Sequence, residues 1–213
     1  MSRNRTLREA LFDFIPEAAV EMTAAWFDRN YVVLKVTRNR TTKLGDFRGA
    51  PAGKPSQISI NHNLNKFSFL ITLLHEMAHA EVHLTAGRRV QPHGRAWKLA
   101  YHKLAVPYLR DDIFPENIRN VFSNYLANPA ASSSTYLPLA SVLKEYDTDS
   151  GEVTVSMLLP GTLFVHNSGR VFKVIEKLRK RYRCLCIDNK KTYLFSPLAV
   201  VSLLQDQKTG TAD

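Results

Sequence analysis

The chain has 213 residues, 45% of them apolar and 23% charged, which suits one sizeable globular domain or two smaller ones. No apolar run approaches the roughly 20 residues that cross a bilayer, and residues 1–20 are charged and interrupted where a signal peptide would need an apolar core. The expected location is therefore cytoplasmic, with no membrane partner. Lys and Arg number 29 against 19 Asp and Glu, a formal net charge of +10, and such a surplus favours polyanions, nucleic acid first.

In chain order, residues 6–30 read as helical, with Pro16 opening a new segment. The β-branched run YVVLKVTR (31–38) reads as a strand. TTKLGDFRGA and QISINHNL read as further strands on either side of a Gly- and Pro-rich loop at 49–55. KFSFLITLLHEMAHAEVHL (66–84) is apolar on nearly every side, as a helix at the centre of a domain is. Gly87 and Pro92 mark a loop, a helix starts near His93, and another spans 115–128. PAASSSTY (129–136) has the small, polar composition of a linker. Beyond about 150 come short runs, VTVSML, TLFVH, RVFKVIEKL, RYRCLCID and KTYLF, separated by Gly, Asn and Asp turns. They predict a small all-β, barrel-like domain of about five strands.

The stretch LLHEMAHA puts His75 and His79 four residues apart with Glu76 after the first. An α-helix advances about 100° and 1.5 Å per residue, so the two imidazoles share a face one turn apart. Both can then reach one zinc ion, while Glu76 lies at the edge of that face, placed to reach a water as general base. A catalytic site needs a third protein ligand. His83 stands about 12 Å along the axis from His75, too far to share one ion with it. Nothing specific recommends His62. His93 follows a turn long enough to fold the chain back, and is the chosen third ligand. The alternative is an apolar helix burying two imidazoles and a carboxylate without compensation, at a cost of several kcal/mol.

HEMAHA, followed after a short loop by HGRAW, resembles the SprT-like metallopeptidases, the group that includes the Spartan DNA–protein crosslink proteases. The match falls on His75, Glu76, His79, His93, Gly94 and Trp97, and QISIN resembles the strand that precedes the family's active-site helix. The likeness covers roughly residues 15–125. It implies a zincin-like metallopeptidase core, Zn2+ as cofactor, His75, His79 and His93 as metal ligands, and Glu76 as the catalytic base. Arg95 and Ala96 stand where family members often carry Pro-Glu. The cysteine zinc ribbon of many relatives is absent, because the chain has only Cys184 and Cys186, read here as small buried apolar side chains.

Between 166 and 191 nine Lys or Arg face two acidic residues. On a strand over 177–187, Arg179, Arg181 and Arg183 would share one face, and Lys180, Tyr182, Cys184 and Cys186 the other. With Lys180, this row is the candidate nucleic-acid surface, suited to single-stranded or non-specific DNA. Its rival is a charged edge strand that prevents aggregation.

The expected protein is thus α+β: a SprT-like domain at 1–128, a linker at 129–149, a small basic β-domain at 150–205 and a flexible tail at 206–213. The expected function is a zinc metallopeptidase acting on a protein substrate and associated with DNA. A nucleic-acid-binding protein with a structural zinc, or an adaptor whose β-domain docks a protein, are the alternatives.

Overall fold

A computed structural model of the protein describes residues 5–40, 43–86, 90–130, 135–147 and 153–204. The fold is α+β, and the chain divides into two compact units, Met1–Thr148 and Asp149–Asp213.

In the first unit, α1 (Leu7–Phe14) is started by a capping box in which Thr6 and Glu9 exchange hydrogen bonds. After Pro16 the chain makes a short 3-10 turn and enters α2 (Val20–Arg29). Strands β1 (Val32–Thr37), β2 (Gly45–Arg48) and β3 (Ser56–Asn61) form a sheet in the order β1-β3-β2. β1 runs parallel to β3 and β2 antiparallel to it, so β2 is an edge strand.

Helix α3 (Lys66–Ala86) is begun by Asn65, whose side-chain oxygen accepts the N–H groups of Phe67 and Ser68 at 3.1 and 2.9 Å. Its apolar residues point in every direction, and Phe69, Leu70, Leu73, Leu74, Met77, Ala78 and Ala80 are fully buried. The surrounding elements are tied to it by polar contacts as well. The Tyr101 hydroxyl of α4 (Arg95–Ala105) donates to Ile71 O at 3.3 Å, the Trp26 indole N–H of α2 to Glu81 at 2.8 Å, and Lys66 to Phe12 O of α1 at 2.8 Å. Helix α5 (Glu116–Leu126) adds Ile118 and Phe122 to the same core.

The segment expected as a linker behaves otherwise. Its described part carries α6 (Leu137–Lys144), with Leu139, Val142 and Leu143 buried in the core that surrounds α3. The small residues of 129–136 hid this apolar helix directly behind them. Residues 131–134 and 148–149 of that linker, and the tail at 206–213, lie outside the described residues.

The second unit holds β4 (Val153–Thr154), β5 (Leu163–Val165), β6 (Val171–Lys177), β7 (Tyr182–Cys186), β8 (Thr192–Phe195) and β9 (Val200–Leu203). They form one antiparallel sheet in the order β4-β9-β5-β6-β7-β8. Among the described residues β4 and β8 are its two ends and do not pair, so the ladder is open rather than the closed ring of a barrel. VTVSML pairs only through its first two residues before a 3-10 turn, and β9 arises from a short run that carried no strand expectation. Alternation buries Phe172 and Val174 on β6, and Tyr182, Cys184 and Cys186 on β7, in a core of the unit's own.

Candidate metal centre

His75 and His79 project from the same face of α3, as their spacing requires. His93 sits just ahead of α4 with φ at 58°, a left-handed conformation that a residue with a side chain seldom adopts. The reversal there brings its ring back toward α3. The three Nε2 atoms form a nearly equilateral triangle: 3.3 Å from His75 to His79, 3.0 Å from His79 to His93 and 3.3 Å from His93 to His75. Trp97, one turn into α4, packs against all three rings, with centroid separations of 4.6, 5.3 and 4.7 Å. Tyr101 lies 5.6 Å from His75.

Burial holds His75 down at about 3 and His79 at about 4, with neighbouring rings adding to the effect, and it lowers His93 as well. The rings are therefore neutral near pH 7. A neutral imidazole offers at Nε2 either one proton or one lone pair. Among three such atoms, at least two must then be alike, so protons alone leave one contact donor-to-donor or acceptor-to-acceptor. A shared cation resolves this by taking three lone pairs. Donors placed tetrahedrally at roughly 2.0–2.1 Å from an ion stand about 3.3 Å apart, which matches the triangle. The set can hold a metal ion, and among the described residues no fourth His, Cys, Asp or Glu joins the group.

Glu76 is 7% exposed and lies against β2 rather than in the triangle of ligands. A Cβ added at Gly45 would come within 2.7 Å of Glu76 Oε1 and 2.8 Å of Thr72 Cγ2, so the strand backbone touches the carboxylate directly. Burial, and then the charge of Asp46, push the Glu76 carboxyl up to about 8. The backbone N–H of Phe47 and the charges of Arg40 and Lys43 act in the opposite sense, as would a cation held by the neighbouring imidazoles.

His62 and His102 are exposed, on a turn and on the outer side of α4. His83 is half-buried against β2. Sequence reasoning missed Gly45 and Phe47. The available signal was a glycine at the start of a strand, which often marks a close approach.

The basic row is arranged differently from its expectation. The strand spans only Tyr182–Cys186, and 178–181 is the hairpin turn between β6 and β7, closed by Leu178 N–H to Arg181 O at 2.7 Å. Arg179, Lys180 and Arg181 are exposed on that turn rather than along a strand face. Arg183 does lie on β7, where it pairs with Glu176 at 2.5 Å.

These features define an α+β domain built around a candidate three-histidine metal centre on a central helix. The SprT-like family model matches residues 18–115, from the 3-10 turn before α2 to the residue preceding α5, and this segment is similar to that family. No curated protein and no solved structure matches the chain significantly.

Proposed function

We propose that the protein is a zinc-dependent metallopeptidase of SprT-like type. The observation that carries this reading is the triangle of three Nε2 atoms with no fourth protein ligand among the described residues, beside a buried carboxylate. A structural zinc site closes its coordination with four protein ligands, whereas a catalytic one keeps a position open. A zinc ion held there would polarise a scissile carbonyl and acidify a water. Glu76, next to His75 on the helix, takes the proton of the attacking water and returns it to the leaving amine. Its seat against β2 keeps it buried and fixed.

The second unit supplies the reading's DNA association. Arg179, Lys180 and Arg181 stand exposed on the β6–β7 turn, with Lys173, Lys190 and Lys191 also exposed on the same unit, a composition suited to phosphate contacts without base readout. The substrates proposed are proteins bound or crosslinked to DNA.

The test is hydrolysis of casein, or autocleavage, by zinc-loaded protein with and without single-stranded DNA. Glu76→Gln is expected to keep one zinc per chain and lose hydrolysis at least about 100-fold. An active Glu76→Gln protein would overturn the mechanism. Replacing His93 by Ala is expected to lower zinc content, measured by metal analysis after dialysis, since a two-ligand site binds far more weakly.

A further inference from the structure

His83 follows His79 by one more helical turn but does not join the triangle. Its ring meets Phe47 of β2 edge-on at a centroid distance of 5.4 Å. It also covers the Cα of Gly49, just past the end of β2: a Cβ there would lie 2.4 Å from the ring's Cε1 and 2.5 Å from its Nε2. At the other end of the strand, Gly45 also lies close on Glu76 and Thr72. The edge strand is thus laid on α3 at two bare glycines, with the side chain of Phe47 held between them.

The register explains why this matters. Asn61 N–H donates to Leu44 O at 2.9 Å, and Asp46 pairs with Ser59. In an antiparallel ladder bonded positions alternate, so Gly45 and Phe47 turn their backbone groups away from β3. The N–H of Phe47 faces the Glu76 carboxylate, beside the contact of Gly45 with Glu76 Oε1.

We infer that His83 is a positioning residue: by seating Phe47 and Gly49 it fixes β2 on α3 and so sets the Phe47 N–H against the Glu76 carboxylate. It needs a flat ring of about this size and not a titrating one. The catalytic part of the inference rests on the peptidase reading; the seating of β2 does not.

Three variants test it in the full chain: His83→Ala removes the ring, His83→Phe keeps an aromatic ring, and Gly49→Ala leaves the ring but drives the strand from it. The first readout is amide hydrogen exchange over 44–49, measured without any substrate. His83→Ala and Gly49→Ala are each expected to speed exchange there about 10-fold while 69–80 of α3 stays protected, and His83→Phe to restore it. Unchanged exchange over 44–49 in both His83→Ala and Gly49→Ala overturns the inference, whether or not the protein is a peptidase.

The second readout is turnover of casein, with Glu76→Gln as the inactive reference. His83→Ala is expected to lose about 10-fold in kcat with KM within twofold and zinc content unchanged, and His83→Phe to recover most of the loss. Loosened exchange with unaltered kcat in an active enzyme overturns the catalytic part and leaves the peptidase reading intact. A wild-type protein as inert as Glu76→Gln counts against that reading, and against the catalytic role assigned to His83 with it.

Discussion

His75 and Glu76 are neighbours in sequence, both nearly out of contact with water, and they titrate in opposite directions. In metal-free protein His75 is held at about 3 and His79 at about 4, against an ordinary 6.5 in the unfolded chain. Across that interval the unfolded chain binds more protons. The stability contributed by the neutral rings is therefore present above about pH 6.5 and lost as pH falls toward 3. Glu76 is held at about 8 against 4.5, so the folded chain binds the extra proton. Its contribution is present below 4.5 and lost as pH rises toward 8. The metal-free protein should be most stable near about pH 6.5, where the two slopes cross. Glu76→Gln should remove the alkaline loss alone, raising the melting temperature at pH 8 by several degrees with little change at pH 5. Thermal unfolding in chelator at the two pH values checks this, and equal shifts at both would contradict it.

The elements differ in how openly the sequence announces them. Helix α3 was legible because its apolar residues fill every side and its two histidines carry a spacing with only one geometric consequence. His93 was legible as a partner because a loop and a helix start must fold the chain back. What the sequence hid was the edge strand's hold on the site. β2 has four residues, and nothing in GDFR tells which neighbour its glycine approaches, since that is decided by a pairing between segments far apart in the chain. Helix α6 was masked by the small polar residues before it, and residues 178–181 were read as strand because alternation cannot show where a hairpin turns. Gly45→Ala places a methyl group 2.7 Å from Oε1 and 2.8 Å from Thr72 Cγ2, and should destabilise the fold by about 1–3 kcal/mol through overpacking. Denaturant unfolding measures it, and a change within error would mean that β2 moves freely off α3.

At the scale of the whole molecule, each unit has its own buried core, and in the second unit nine Lys or Arg fall between 166 and 191 against two acidic residues. A cluster of charge at a turn acts on a polyanion differently from a row along a strand. On the β6–β7 turn Arg179, Lys180 and Arg181 are exposed, whereas Arg183 is already paired with Glu176. Each phosphate contact to a single strand contributes about 0.7 to the slope of log affinity against log salt. Replacing the three turn residues by Ala should therefore weaken binding of single-stranded DNA and flatten that slope by about 2. Arg183→Ala should change both far less, because the guanidinium it removes is largely neutralised by its partner. Anisotropy titrations of full-length protein at several salt concentrations separate the two. If Arg183→Ala flattened the slope as much as the triple replacement, the phosphates would be tracking the strand and not the turn; if neither did, the proposal of a DNA-binding turn would fall.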